Sequence, residues 1–348
     1  MTSQRPMVRL VASVGLAACL LATSALAQDC PELLGQWPDD AASLVSVEEP
    51  YAYVGHESTL MVADLSNPES PEVVGSLDFG YNTGDLSAAN GYVFVTAFGF
   101  FVVDVSTPSL PHVEGTLDLL YTDALDVSGQ YAYVTNAFPM GLYVLDVSAP
   151  SSPSETGFVE LQFGTSPGFT DVAVAGQYAY LPWYDAFGSP PGGLKVIDVS
   201  TPSAPFEAGS INFSSDWVGE VAVYRGYAYV GTLGGFRVID VSTPTAPVEI
   251  GFVATQDFVG EIAISGSSAW VADWIGGLRV MDLNDPSSPV EVGSYDPPEM
   301  ITFVGVGSDY AVAVADETAL LVFERCELPV FSDGFESGNT SQWSDTVP

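Results

Sequence analysis

The sequence predicts an all-β fold, a seven-bladed β-propeller of four-stranded blades. Two observations support this prediction. A phrase close to "GLKVIDVSTPSAP" recurs about every 42 residues, which is the length of one propeller blade. After residue 27 the apolar residues nowhere follow the 3.6-residue period of a helix, so the rest of the chain should be almost entirely β.

The recurring phrase predicts the turn between the third and fourth strand of each blade. Its acid falls at equivalent points in six copies and one degenerate copy: Asp64, Asp104, Asp146, Asp198, Asp240, Asp282 and Glu324. These positions are 40, 42, 52, 42, 42 and 42 residues apart. Asp, Ser and Thr side chains bond nearby backbone amides, and proline interrupts a strand. We therefore interpret the acid as a turn organiser and not as a catalyst.

Each unit contains four short strands, labelled A to D here. In the fifth unit they are "EVAVY", "YAYVGT", "FRVIDVS" and "PVEIGFV", which are rich in β-forming residues and separated by turn residues. The middle residue of strand A is mostly small, as expected for strands crowded around a central axis: Ser46, Ser87, Asp126, Ala173, Ala222, Ala263 and Gly305.

The two ends of the repeat region are predicted to close the ring. The seventh unit stops at Cys326 after strand C, whereas "CPELLGQW", starting at Cys30, matches the strand D pattern. A last blade built from both ends leaves no open sheet edge. Cys30 and Cys326 align with the two ends of the missing turn, so we expect a disulfide between them in an oxidising compartment. Two free thiols are the alternative.

The repeats resemble the LVIVD-repeat family, whose members carry "L-x-V-I-D-V-S-x-P-x-x-P" in exported β-propellers. The resemblance covers roughly residues 30–326, and six copies agree on the acid and both prolines. It implies a propeller and an extracytoplasmic location. It implies no activity, and no catalytic residue is carried over from it.

The segments on either side of the repeats also indicate export. Residues 1–27 combine a basic start, an apolar stretch and a small-residue cleavage site, as in a signal peptide. The alternative is a lipoprotein, because "LAAC" would place a lipid on Cys19. No other stretch is long and apolar enough to span a bilayer. We expect an exported monomer without a transmembrane segment, either secreted, periplasmic or on the surface of a bacterium.

The tail, residues 327–348, leaves the repeat pattern. Its "DGFESGNTSQW" resembles the C-terminal endings of otherwise unrelated exported bacterial proteins. The resemblance implies a shared address or anchor, and a passive flexible extension is the alternative.

The charge of the chain excludes two classes of partner. The sequence has 44 Asp and Glu against 7 Lys and Arg, a formal net charge of −37. Phosphate backbones and anionic lipids bind through Lys and Arg. We therefore exclude nucleic acid and anionic membranes as partners.

An aromatic rim is the first candidate for a binding site. The fourth B-to-C loop, "LPWYDAFGSPPGG", is the longest and accounts for the 52-residue spacing. The candidate residues come from this loop and from two other blades: Phe138, Trp183, Tyr184, Asp185, Phe187 and Trp274. Exposed aromatics beside a carboxylate can anchor a protein or peptide or stack on a glycan. The alternative is that the insertion packs on its own propeller as a small satellite core.

Acids at the start of strand A form the second candidate site. They lie in register at Asp85, Asp171, Glu220 and Glu261, with Asp123 offset by one residue. Carboxylates that converge at the mouth of the channel could hold Ca²⁺, which takes six to eight oxygen ligands. The alternative, which needs no cofactor, is that these acids cap loops and keep the rim hydrated.

Little in the sequence supports catalysis. The chain has two histidines, His56 and His112, in different blades, and it lacks the HExxH, phosphate-loop, CxxC and nucleophile-elbow patterns. We assign no catalytic residue and predict a non-enzymatic binding or scaffolding propeller. The alternative is an extracytoplasmic hydrolase that uses carboxylates at the channel mouth, with or without Ca²⁺.

Overall fold

The computed structural model describes residues 30–37, 42–162, 167–185, 192–214, 217–316 and 319–326. The predicted signal peptide, Cys19, Phe187 and the C-terminal tail lie outside the described residues. Within the described ranges the regular structure is entirely β, with 28 strands in seven sheets. None of these residues forms a helix long and apolar enough to cross a membrane.

The seven sheets are the seven blades, and each is antiparallel. The first strand, β1 (Leu33–Trp37), belongs to the last blade. Blade 1 contains β2 (Leu44–Glu48), β3 (Tyr51–His56), β4 (Thr59–Asp64) and β5 (Glu72–Asp78). Blade 2 contains β6 (Asp85–Ala89), β7 (Tyr92–Ala97), β8 (Gly99–Asp104) and β9 (His112–Leu117). Blade 3 contains β10 (Thr122–Ser128), β11 (Tyr131–Ala137), β12 (Met140–Asp146) and β13 (Ser154–Glu160).

Blades 4 and 5 depart slightly from the simple pattern. In blade 4, strand A is divided between β14 (Pro167–Phe169) and β15 (Ala173–Ala175), which both pair with β16 (Tyr178–Asp185); β17 (Gly192–Asp198) and β18 (Phe206–Phe213) follow. In blade 5, β19 (Val218–Tyr224) is strand A, strands B and C run together as β20 (Tyr227–Asp240), and β21 (Val248–Phe258) is strand D.

Blade 6 and the last blade complete the ring. Blade 6 contains β22 (Glu261–Ser265), β23 (Ser268–Ala272), β24 (Leu278–Asp282) and β25 (Val290–Tyr295). Blade 7 contains β26 (Ile301–Val306), β27 (Tyr310–Ala315) and β28 (Ala319–Glu324), with β1 as its fourth strand. The predicted fold class is therefore confirmed, and all seven middle residues predicted for strand A lie within the innermost strands.

The hydrophobic core lies between blades and not at one central point. Seven clusters of buried side chains each combine residues from two neighbouring blades. For example, Val54 of blade 1 packs in one cluster with Val312 and Val322 of blade 7. Each blade buries its two faces only against its neighbours, so the ring must close before every blade is covered.

The repeated Asp organises the turn between strands C and D, as the sequence predicts. In six blades its Oδ1 accepts a hydrogen bond from the backbone N–H two residues later, at 2.7–2.9 Å. The donors are Ser66, Ser106, Ser148, Ser200, Ser242 and Asn284. This is the short-range side-chain bond that Asp forms in turns.

The ring closes as predicted. Strand β1 pairs with β28, and Cys30 is joined to Cys326 by a disulfide whose Cα atoms are 5.8 Å apart. The carbonyl of Cys30 lies against Gly293 of blade 6, whereas at five other blade contacts the equivalent glycine meets a proline carbonyl. The disulfide thus replaces the missing turn. It also indicates an oxidising, extracytoplasmic location, because structural disulfides persist in such compartments.

Candidate functional site

One face of the propeller carries both the D-to-A loops and the B-to-C turns, and we call it the loop face. Each D-to-A loop leads directly into the innermost strand of the next blade. The first residues of every strand A therefore lie at the entrance of the central channel from the loop face. The C-to-D turns with their repeated Asp lie at the opposite ends of the strands.

The predicted acids gather at this entrance. Asp85 begins β6, Glu261 begins β22, Asp171 lies just before β15, and Glu220 lies in β19. The structure adds Asp126 in β10, which the sequence analysis treated only as a strand A residue. We call these five residues the channel acids: Asp85, Asp126, Asp171, Glu220 and Glu261.

Four of the channel acids tie neighbouring blades together. A carboxyl oxygen of each accepts a hydrogen bond from a backbone N–H in strand A of the next blade. These pairs are Asp85 with Leu125 at 2.7 Å, Asp126 with Val174 at 2.7 Å, Asp171 with Val221 at 2.9 Å and Glu261 with Val304 at 2.7 Å. In blade 1 the Ser46 hydroxyl takes the same position and accepts the N–H of Ala88 at 3.0 Å. The acids therefore have a structural role, as hydrogen-bond acceptors for inner strands that have no sheet neighbour on the channel side.

Glu220 differs from the other channel acids. No described residue donates a hydrogen bond to its carboxyl group, which faces a cavity of about 270 Å³. Asp85, Asp123 and Asp171 line the same cavity, together with the apolar side chains of Leu44 and Phe303. The cavity has room for several water molecules.

Burial and mutual repulsion favour the protonated form of the channel acids. Burial raises the pKa of Asp85 to about 7, with a further contribution from the charge of Asp171. Burial likewise raises the pKa of Asp126 to about 7 and that of Asp171 to about 6. The pKa values of Glu220 and Glu261 are raised well above their ordinary value, first by burial and then by the neighbouring carboxylates. Such perturbed carboxyls commonly mark binding or catalytic sites, although structural networks perturb pKa values too.

The residues of the predicted aromatic rim differ in their exposure to solvent. Phe138 is 78% exposed and Tyr184 is 37% exposed, so both reach the surface of the loop face. Trp183 and Asp185 are buried, which fits the alternative that the insertion packs on its own propeller. The reason is local packing, since Trp183 belongs to the hydrophobic cluster between blades 3 and 4. Trp274 is half-buried.

A more extensive apolar surface follows the B-to-C turns. In each of blades 2 to 6 an exposed apolar side chain lies in or beside this turn: Phe98, Phe138, Tyr184, Leu233 and Ile275. We call these five residues the apolar arc. In blade 1 the corresponding turn carries His56 and Glu57, and in blade 7 it begins with Asp316. The arc therefore covers five consecutive blades and ends where the ring closes.

The D-to-A loops add aromatic side chains next to the arc. Tyr81 stacks on Phe98 with ring centroids 5.3 Å apart. Trp217 contacts Phe258 at 5.9 Å, and Phe258 contacts Trp274 at 5.0 Å. Tyr81 and Trp217 are each about half exposed. Neither residue is among the candidate site residues predicted from the sequence, although their positions just before strand A could have indicated the loop face.

A cluster on the outer part of blade 2 lies apart from both sites. Ligating atoms of Asp104, His112 and Glu114 are within 4.8 Å of one another, and His112 Nε2 is 3.7 Å from Glu114 Oε2. Asp104 is also the turn organiser of its blade. His112 and Glu114 are exposed on the outermost strand, so the cluster has no contact with the loop face.

The repeats match a known family model. Six stretches, residues 40–78, 80–118, 121–160, 169–212, 218–255 and 259–297, match the LVIVD repeat. The chain belongs to the LVIVD-repeat family. The degenerate seventh unit is not among the matched stretches. No curated protein matches this LVIVD-repeat sequence.

Solved structures confirm the fold of this LVIVD-repeat protein. A functionally unknown protein from Desulfotomaculum acetoxidans is 15% identical, with a TM-score of 0.63 over 81% of this chain and 92% of its own. Sqt1 of Saccharomyces cerevisiae is 9% identical, with a TM-score of 0.58 over 85% and 99%. BamB from Moraxella catarrhalis is 12% identical, with a TM-score of 0.55 over 81% and 84%. At these identities the likeness concerns the fold alone.

Proposed function

We propose that this LVIVD-repeat protein is a non-enzymatic binding or scaffolding propeller that recognises a protein, peptide or glycan through its loop face. The observation that carries the proposal is the apolar arc. Turns are built by Gly, Pro, Asn and Asp, so the turns themselves do not require large apolar side chains at these positions. A run of exposed apolar residues on one face is typical of an interaction site.

Thermal unfolding against a ligand panel tests this proposal. A ligand that binds the folded state raises the melting temperature by mass action. We expect at least one protein, peptide or glycan to raise the melting temperature of the wild type and to have no effect on the Phe138→Ser variant. Phe206 is 53% exposed but lies at the start of strand D, away from the loop face. The Phe206→Ser variant should therefore respond like the wild type.

Two outcomes contradict the proposal. One is a broad panel in which no protein, peptide or glycan shifts the melting temperature. The other is a ligand that stabilises the Phe138→Ser variant as strongly as the wild type, because that ligand would bind somewhere other than the apolar arc.

We propose that the protein acts after export through its leader. The support comes from the disulfide and from the signal-peptide pattern of residues 1–27. The intact mass of the exported protein tests this: cleavage after Ala27 gives a chain that begins at Gln28. A chain that begins at a lipid-modified Cys19 would contradict the proposed cleavage and show a lipoprotein.

A hydrolase is the second candidate, and Glu220 is the observation that favours it. Its carboxyl faces the cavity without a hydrogen-bond donor among the described residues, and its raised pKa suits a general acid. Asp171 on the same cavity is the candidate for the second carboxylate. If this candidate is right, the Glu220→Gln variant should lose hydrolysis of a glycan or peptide substrate that the wild type cleaves. Unchanged cleavage would exclude Glu220 as the acid.

Calcium fits the channel acids only in part. Both oxygens of Asp85 and both oxygens of Asp171 already accept backbone N–H groups, from Leu86 and Leu125 and from Val172 and Val221. Ca²⁺ prefers six to eight oxygen ligands, and among the described residues Glu220 and Asp123 are the acids on the cavity whose carboxyl groups accept no such bonds. Melting temperatures measured with EDTA and with Ca²⁺ test the site, and a Ca²⁺-dependent rise that is absent in Glu220→Gln would support it.

A further inference from the structure

The apolar arc and the channel acids are close enough for one ligand to contact both. Tyr81, which stacks on Phe98 of the arc, is four residues before Asp85. Trp217 is three residues before Glu220. Even a fully extended chain spans no more than about 14 Å over four residues. A bound segment of five to seven residues is therefore long enough to touch the arc and reach the mouth of the channel.

Among the described residues no Lys or Arg is paired with a channel acid. Arg279 is the described cation whose guanidinium reaches the loop face, where it donates to the Gly276 carbonyl and pairs with Asp273 and Asp296. The described residues of the D-to-A loops and B-to-C turns contain no Lys or Arg. Arg225 and Arg325 lie at the opposite face, in the turn after β19 and just after β28. The other three described cations lie on strands C and are paired with acids: Lys195 with Glu207 at 2.8 Å, Arg237 with Glu249 at 2.8 Å and Arg279 with Asp296 at 2.7 Å.

We propose that the loop face binds a protein segment in which a lysine or arginine is flanked by apolar side chains. The cation lies at the mouth of the channel among the acids, and the flanking side chains lie on the apolar arc. This inference rests on the proposed function and names the class of partner for the same surface.

The cavity matches both parts of such a side chain. Lys and Arg have an apolar stem and a charged end, and they bury the stem while the end reaches polar groups. The cavity offers Leu44 and Phe303 to the stem and four carboxyl groups to the charged end. Exposed Tyr and Trp rings beside the channel can also attract a cation through their faces. An acidic segment would be repelled by the same carboxylates.

The composition of the arc favours a protein segment over a glycan. Leu233 and Ile275 are 56% and 69% exposed and are aliphatic. Sugars stack on aromatic rings, whereas aliphatic side chains pack equally well against the apolar side chains of a peptide. The closely placed Tyr81 and Phe98 rings extend the same apolar surface.

A selection from a phage-displayed library of random 12-residue peptides tests the inference on the exported, disulfide-bonded protein. We expect enriched peptides to contain Lys or Arg next to two or more aromatic or aliphatic residues. Synthetic copies of the best peptides are then measured by fluorescence anisotropy, each beside a copy with Gln in place of the cation. The Gln copy should bind at least tenfold more weakly, and the difference should shrink as salt is raised.

Matched variants locate the binding site. Phe98→Ser combined with Phe138→Ser should weaken binding at least tenfold, whereas Phe206→Ser should stay within twofold of the wild type. Glu220→Gln should weaken binding several-fold and reduce the salt dependence. Its control is Glu155→Gln, which changes an exposed acid on strand D of blade 3 and should have no effect. Melting temperatures of all variants confirm that they are folded.

Four results overturn the inference, and the first three concern peptides that bind. They are enrichment of peptides without cations, equal binding of the Gln copy, and equal binding by the Phe98→Ser and Phe138→Ser double variant. Failure to enrich any peptide also overturns it, but leaves the proposed function standing if a glycan or folded protein stabilises the wild type and not Phe138→Ser. If no ligand of any class does so, the proposed function fails as well.

Discussion

Among single residues, the glycine of strand D decides how closely neighbouring blades approach. A Cβ atom on Gly115 would lie 2.1 Å from the carbonyl oxygen of Pro150 in the next blade. Gly75 and Gly157 meet Pro108 and Pro202 at 2.1 and 2.3 Å in the same way. In these blades the glycine of one blade therefore packs against the proline-containing turn of the next blade.

This contact predicts that the Gly115→Ala variant is destabilised. The obstacle is a backbone carbonyl, so the next blade must move, and we expect a loss of about 1–3 kcal/mol in the free energy of unfolding. Urea unfolding measures the loss. Gly251 is the matched control, because it occupies the same motif position and its nearest atoms to an added Cβ are 3.9 Å away. Gly251→Ala should be as stable as the wild type, and equal losses in both variants would contradict the argument.

The period of the repeat predicts where the acids of strand A lie in the sequence. It does not predict which groups their carboxyls bind. The sequence places Asp85, Asp171 and Glu261 at the start of inner strands. Their bonds to amides in the next blade depend on the spacing between neighbouring inner strands, which the repeat length does not contain. The same limit explains Asp126, which lies inside a strand and out of register with the other acids.

The channel acids predict an unusual dependence of stability on pH. Asp has a pKa of about 3.9 in an unfolded chain, whereas Asp85 and Asp126 have values of about 7 and Asp171 about 6 in the fold. The folded state therefore binds protons more tightly than the unfolded state between pH 4 and pH 7. The stability from these protons is complete below about pH 4 and is lost as the pH rises through 6 to 7. We expect the melting temperature to fall by several degrees from pH 5 to pH 8.

Variants assign this pH dependence to the channel. Glu220→Gln removes a carboxyl whose own pKa is raised well above its ordinary value, by burial and by the charges of Glu261, Asp171 and Asp85, so the melting temperature of the variant should change less between pH 5 and pH 8. Glu155→Gln on the outer strand should retain the wild-type profile. Acids with lowered pKa values, such as Asp78 and Asp240, act in the opposite sense, but only near and below pH 4. A wild-type melting temperature that is constant or rises from pH 5 to pH 8 would disprove the argument.

For the whole molecule, the fold could be predicted from the sequence, whereas surfaces that form only when the ring closes could not. The fold class, the seven units and the closing strand follow from the 42-residue period and from the match of "CPELLGQW" to strand D. The apolar arc does not, because Phe98, Leu233 and Ile275 are single residues far apart in sequence, and only the closed ring brings them onto one face. Trp183 shows the converse limit, since the sequence leaves open whether its loop is exposed or packs on the propeller, and the structure places this side chain between blades.

Closure of the ring predicts that the disulfide carries a large share of the stability. The two cysteines are 296 residues apart, so the bond restricts nearly the whole unfolded chain. Natural disulfides of this kind contribute about 2–5 kcal/mol. Cys326→Ser should therefore have a melting temperature well below that of the wild type under non-reducing conditions. The wild type in reductant should melt at the same temperature as the variant.

Because Cys30 also supplies the carbonyl that meets Gly293, loss of the disulfide should loosen the contact between blades 6 and 7 first. Hydrogen exchange should then show faster amide exchange in β25 and β1 than in β9. Equal melting temperatures for variant and wild type would mean that β1 is held by its pairing with β28 alone, and that the disulfide does not stabilise the closed ring.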